Sequence, residues 1–293
     1  MTAPTSYDGF LAAAAVAGGK QKRFFYKVLP AAHVAQKYHS SWGCSGSPAA
    51  GAWMTGASAT PVTTNVDSST PGAFPLVSPT FASGKIPSLV AIGASQDTGA
   101  TAMAGHIILI DRLADLGSIA TVIGTGVVTF PGGLARYADG EDVMASVEIL
   151  GGTPSLSTVQ ISKYTNQDGT ANRVGIVSET LTATPLHRFV GSTGGMWLGL
   201  AAGDRGIRSI EEITIGAVNA ANFSIVLYKV IDSIPCSLVG GWVERDFVIQ
   251  TPDAIQLPVN TSDRSSCLQW VFVPNAATTS GAVFSGKLLA VTA

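Results

Sequence analysis

The feature that most constrains this chain is a train of short apolar runs, each closed by turn residues, that fills everything after about residue 86. The runs are Pro87–Gly93, His106–Asp111, Val127–Phe130, Val143–Leu150, Thr158–Tyr164 and Val174–Ser178, then Met196–Leu200, Ile207–Ile215, Phe223–Ile231, Trp242–Gln250, Cys267–Val273 and Val283–Val291. Asp139-Gly140, Gly151-Gly152, Asp168-Gly169, Gly194-Gly195, Gly240-Gly241 and Pro274-Asn275 punctuate them. Short strands at near-regular spacing predict an all-β antiparallel sandwich, jelly-roll-like in its packing. Helical segments of 10–15 residues do not alternate with the runs, which argues against a parallel α/β fold. The sandwich domain is expected over 86–293.

The first 85 residues read differently, as an N-terminal extended arm containing short helices. Ser6 caps an expected helix through Ala12–Ala15 that ends at Gly18-Gly19, and Pro30 opens a second over Ala31–Tyr38. Phe24, Phe25, Tyr26 and Val28 between them read as a strand or an apolar anchor. Residues 1–40 carry five basic side chains against Asp8 alone. Between Tyr38 and Ile110 the only formal charges are Asp67, Lys85 and Asp97. Over 40–85, Gly, Ala, Ser, Thr and Pro supply 33 of 46 residues, a composition that needs something to lie against if it is to be ordered.

Overall, 12% of residues are charged, roughly half the usual ~25%. That is thin cover for a free monomer and predicts a covered surface, with a homo-oligomer as the expected state. No run of 18 apolar residues exists to cross a bilayer as a helix, so no membrane partner is expected. Phe10–Ala17 is too short, and lacks the basic leader, for a secretory signal. A net charge of −2 disfavours nucleic acid as the partner of the whole chain.

Motifs for chemistry are absent or better read as structure. No G-x-S-x-G or phosphate-binding glycine loop is present, and Gly124-Thr125-Gly126 runs into a strand pattern rather than a helix. His33, His39 and Cys44 match no common zinc spacing. Asn166, Asp168 and Asn172 carry calcium-type oxygens, but Asp168-Gly169 specifies a hairpin turn, as Asp139-Gly140 does beside Glu141 and Asp142. Paired carboxylates for glycoside cleavage are not nominated by any spacing. No catalytic, cofactor-binding or metal residues are expected, and no cofactor. Cys44, Cys236 and Cys267 give no disulfide framework, although Cys236 and Cys267 could bridge two strands.

What remains is a candidate protein interface. Lys20, Lys22, Arg23 and Lys27 interleave with Phe24, Phe25 and Tyr26, a mixture suited to docking on an acidic protein surface. Trp42 and Trp53, in the charge-poor tract, read as interface anchors, whereas Trp197, Trp242 and Trp270 sit in strand patterns and read as core.

Several phrases together carry a family likeness. They are Trp42-Gly43-Cys44-Ser45-Gly46-Ser47-Pro48-Ala49-Ala50-Gly51, Pro71-Gly72-Ala73-Phe74-Pro75, Ile110-Asp111-Arg112-Leu113-Ala114-Asp115-Leu116-Gly117, Tyr164-Thr165-Asn166-Gln167-Asp168-Gly169-Thr170-Ala171 and Gly203-Asp204-Arg205-Gly206-Ile207-Arg208-Ser209. In this series the chain resembles a group of tailed-bacteriophage virion structural proteins over roughly 38–293. The resemblance implies a noncatalytic particle component made in the host cytoplasm, a minor capsid or head decoration protein whose partners are the major capsid protein or other virion proteins. A trimer is expected only if the chain sits on such a shell, which offers threefold positions. The alternative is a tail, collar or fibre-associated component that recognises the host surface.

Overall fold

The computed structural model describes residues 20–30, 32–52, 63–74, 87–98, 105–119, 127–128, 133–152, 158–178, 180–181, 187–216, 221–236, 241–247, 255–258, 266–277 and 281–292. Their regular structure is β, and every strand pairing is antiparallel. The strands are β1 (Lys20–Val28), β2 (Tyr38–Ser40), β3 (Ser45–Ser47), β4 (Thr63–Asn65), β5 (Pro87–Thr98), β6 (Gly105–Ile119), β7 (Val127–Val128) and β8 (Val143–Gly152). They continue with β9 (Val159–Asn166), β10 (Arg188–Val190), β11 (Ile207–Ile215), β12 (Ala221–Cys236), β13 (Trp242–Asp246), β14 (Ile255–Gln256), β15 (Leu268–Pro274) and β16 (Val283–Thr292).

At the centre is a closed barrel. Its strands run β12-β8-β10-β2-β15-β6, and β6 pairs back with β12, while β4 hangs on the outer edge of β6. Alternation along each strand sends one set of side chains inward. Ile110, Val226, Tyr228, Phe189 and Val271 fill the interior, with Tyr38, Ile108 and Met144 beside them. The opposite set faces outward and is covered on two sides. A sheet ordered β13-β5-β16-β1-β3, with β14 on β5, packs Phe25, Leu89, Ile92, Phe284 and Leu288 against Ile107, Leu109, Leu268, Trp270 and Phe272. A smaller sheet, β7-β11-β9, packs Val159, Ile161, Ile207, Ile210 and Ile213 against Val143, Ala145, Val147, Ile149, Ile225 and Leu227. Sheet thus lies on sheet, as the alternating sequence requires.

Several expectations change. Ala31–Tyr38 is not a helix: Gln36 has φ of 56° and donates its N–H to the Pro274 carbonyl (2.6 Å) instead of to a preceding turn. Eight residues carry too little helical stability of their own to resist such tertiary bonds. Val174–Ser178 and Met196–Leu200 are not strands. Their backbones are tied irregularly, through Gly175 N–H to Ile161 O, Ile176 N–H to Gly199 O and Leu198 N–H to Ala145 O. The helix expected from Ser6 lies outside the described residues. The segment read as an arm supplies β1–β4, and β1 pairs along its whole length with β16, register Lys20↔Val291 to Val28↔Val283. Cys44, Cys236 and Cys267 are buried free thiols.

Candidate interaction surface

The face of β1 turned away from the barrel carries Lys22, Phe24 and Tyr26, with Phe24 64% and Tyr26 47% exposed. Cross-strand register extends it. One row reads Phe24–Lys287–Gly93–Glu244 and the next Tyr26–Ser285–Ser95–Trp242, through β1, β16, β5 and β13. Three interstrand steps make this face about 14 Å wide, and the four-residue span from Lys22 to Tyr26 makes it about 14 Å long.

Its shape is set by a glycine. A Cβ on Gly93 would lie 2.6 Å from Cζ2 of Trp242, so the indole lies flat over bare backbone. Trp242 remains 46% exposed, and its Nε1–H donates to Glu244 Oε2 at 3.3 Å. Lys287 pairs with Glu244 and stands 5.7 Å from the Trp242 ring centroid, and Lys22 stands 4.9 Å from that of Phe24. The hydrogen bond from Lys287 holds the Glu244 carboxyl below its ordinary range. The result is an ordered platform of three exposed aromatics with ammonium groups beside them.

The other candidate residues do not join it. Phe25 points inward and stacks on Phe74, ring centroids 4.2 Å apart. Lys27 is fully buried, and its Nζ donates to the carbonyls of Cys44 (3.3 Å), Pro48 (2.9 Å) and Ala49 (3.3 Å). Burial lowers it to about 8. It is a staple between β1 and the glycine-rich stretch after β2, not a docking cation. Arg23 is half-buried, Lys20 is placed only by its backbone in β1, and Trp53 lies outside the described residues. Trp42, expected at an interface, is a core residue at 1% exposure, while Trp197 and Trp242, expected in the core, are each 46% exposed. Trp270 is buried as expected. Sequence reasoning missed Trp242, Glu244 and Lys287. The signal was there: Trp242 shares its strand face with Glu244 and Asp246, the mark of a solvent side.

A buried polar knot ties β6, β8 and β15 together. Arg112 on β6 donates to Glu148 on β8 (2.7 Å), to Asp115 and to Gln269 on β15 (3.4 Å), and its guanidinium carbon lies 4.6 Å from the Trp42 ring centroid. Burial works against the Arg112 charge, but the two carboxylates outweigh it and hold the proton above the ordinary range. Two buried carboxylates share that one cation, and burial pushes Glu148 up to about 7 even so. Next to them Arg136 grips Asp111 with Nε (3.2 Å) and Nη2 (2.7 Å) and also reaches the carbonyls of Val66 (2.8 Å) and Arg112 (3.1 Å). Asp111 Oδ1 also accepts from Cys267 N–H at 2.8 Å. These acids are buried rather than set in a cleft, and they hold strands together.

The metal readings dissolve in the same way. His33 and His39 stack with centroids 3.9 Å apart and planes 5° apart, so their nitrogens lie in parallel planes and do not converge. Cys44 Sγ donates to the Ser40 carbonyl. Asn166 Oδ1 accepts from the N–H groups of Asp168 (3.1 Å) and Thr170 (2.8 Å), and Gly169 has φ of 80°: the expected turn. Among the described residues no group of three or more His, Cys, Asp or Glu is placed to hold a metal ion, and no helix is long and apolar enough to cross a membrane.

No family model matches the chain, and no curated protein matches it. Among solved structures it is aligned with the unassembled VP1 pentamer of KI polyomavirus, at 9% identity over 94% of this chain and 95% of that one, with a TM-score of 0.19. A score that low establishes no common fold.

Proposed function

We propose that this protein is a noncatalytic bacteriophage virion structural protein, a minor capsid or decoration (cement) protein on a jelly-roll-like sandwich, docked to the outer head shell through the exposed face of β1. The observation that carries the reading is the ordered, exposed cluster of Phe24, Tyr26 and Trp242 with Lys22 on a sheet that is otherwise well paired. Exposed aromatics in a polar rim are the usual anchors of a protein interface. The exposed Lys22 beside them favours a partner surface that offers carboxylates. The resemblance of the quoted phrases to tailed-phage structural proteins favours the outer surface of the major capsid protein as that partner.

Size fits the role. A face of about 14 by 14 Å covers roughly 200 Å², well below the ~800 Å² per partner of a stable pairwise complex. On a shell that repeats its binding site, and in a homo-oligomer such as a trimer, several weak contacts act together and hold firmly.

The test is addition of purified protein to head shells lacking it. Phe24→Asp with Tyr26→Asp should abolish retention on the shells while leaving the far-ultraviolet circular dichroism unchanged. Full retention by that variant would overturn the docking face. Density for the protein confined to the tail in a particle reconstruction would overturn the head assignment and favour a tail, collar or fibre component that recognises the host surface.

A further inference from the structure

The barrel has a narrow seam around β2 and β10, and β10 is itself held to β8 by only two residue pairs, Phe189↔Glu148 and Val190↔Val147. β2 closes the barrel with three residues and is held to β10 by two residue pairs (Arg188↔His39, Phe189↔Tyr38) and to β15 by two (Val271↔Ser40, Phe272↔His39). On the far side, β12 and β6 share twelve register pairs, from Phe223↔Ile119 to Cys236↔Gly105. Three histidines collect where β2 meets β10. His39 sits on β2 itself, stacked on His33, and its Nε2 faces the backbone of Val34 (N 3.2 Å, O 3.3 Å). His187 directly precedes β10, and its carbonyl accepts the Ser40 N–H at 2.7 Å. Its imidazole presses on Gly43 so closely that a Cβ there would meet Cε1 at 2.1 Å. All three are buried, as is Arg188.

We propose that this seam is an acid-operated latch, in which protonation of His33, His39 and His187 parts β2 from β10 and opens the barrel while the outer sheet stays paired. The surrounding charge decides the direction. The imidazoles face one another, Arg188 comes from β10 and Arg112 from β6, all cationic when charged. From β15, Phe272 packs on His33 and brings no charge. The neighbouring carboxylates, Glu148 on β8 and Asp115 on β6, are engaged by Arg112. A proton added to any of the three therefore meets like charge in a dry site.

Burial, with these neighbours, lowers His33 to about 2 and His39 to about 4, and burial with Arg112 lowers His187 to about 4. An opened seam would return them towards the ordinary ~6.5. The open form then binds more protons, so closure weakens as pH falls below ~6.5 and is lost on the way through about 4. Glu148 runs the other way, because burial has raised it and acid relieves its charge, but it is one group against three.

Hydrogen exchange of the full chain between pH 7 and 4, corrected for intrinsic rates, tests this. Peptides covering 33–41 and 187–190 should lose protection at least one pH unit above those covering β1 and β16. His33→Phe with His39→Gln should lower that opening pH by about one unit. Loss of protection at the same pH in both regions would overturn the latch, as would an unchanged opening pH in the variant. Proton NMR of the unmodified protein gives an independent check, since assigned imidazole signals of His33, His39 and His187 titrating near ~6.5 in the native state would also overturn it.

Discussion

Arg112 lies over the Trp42 ring, guanidinium carbon to centroid 4.6 Å, and the pair locks the loop after β2 onto β6, whose Arg112 pairs with Asp115 on the same strand and Glu148 on β8. The stack explains why a tryptophan in a glycine-rich tract is buried: it covers the one cation that two carboxylates share. Replacing Arg112 by Met would leave Asp115 and Glu148 without that cation in a dry site. The expected loss in urea unfolding is about 3–5 kcal/mol. Adding Asp115→Asn and Glu148→Gln should restore much of it. If the triple variant is no more stable than the single one, the carboxylates are not the source of the loss.

Lys27 gives a prediction with the same pH sense as the buried histidines, at higher pH. Its ammonium is buried among three carbonyls, and burial has lowered it to about 8. The unfolded chain, with lysine at its usual ~10.4, binds more protons between those values. Wild-type stability should therefore rise between pH 8 and 10.5 relative to Lys27→Met, measured as the difference between the two unfolding curves at each pH. A difference that stays flat across that interval would show the ammonium to be solvated.

The phrases that carry the family likeness hold buried chemistry that the sequence did not announce. The phrase Ile110–Gly117 holds Asp111, Arg112 and Asp115, and the phrase from Trp42 supplies the ring that covers them. Tyr164–Ala171 and Gly203–Ser209 bind each other: Gln167 Oε1 accepts from the N–H groups of Arg205 (3.0 Å) and Gly206 (3.1 Å). The long strands β8, β11 and β16 were visible because one side of each is steadily buried. Strands β2, β3, β4 and β10 have three residues each, too few to display a period of two. Val174–Ser178 had the composition of a strand, yet Val174, Ile176 and Val177 are all exposed. Of the candidate interface residues, Lys22, Phe24 and Tyr26 lie on the exposed face of β1, and what singled them out was a cluster of basic and aromatic residues. Phe25 and Lys27 were drawn in with them, since composition alone does not separate the two faces of one strand.

The three cysteines should be inert in the native state. Burial pushes Cys44 up to about 12 and Cys236 up to about 11, and Cys267 is raised by burial and by neighbouring Asp111. Little thiolate is available at pH 8, and the sulfurs are covered. Ellman's reagent should report almost no reaction until denaturant is added, and then three thiols per chain. Prompt release of one equivalent would mean that a cysteine segment opens on its own.

Gly93 separates the aromatic platform from the stability of the sheet. A Cβ there would strike the Trp242 ring at 2.6 Å, but Trp242 is half-exposed and can swing outward. Gly93→Ala should therefore leave the unfolding midpoint nearly unchanged, because alanine in a strand interior offsets the small strain it creates. The indole, displaced from its backbone seat and from Glu244, should fluoresce at longer wavelength than in the wild type. Retention on head shells should fall with it, since a mobile ring must be ordered again on docking, at about 0.5–1.5 kcal/mol for an immobilised side chain, or roughly two- to tenfold in affinity. A red-shifted indole together with full retention would place the platform outside the binding surface and shift attention to the exposed Trp197 instead.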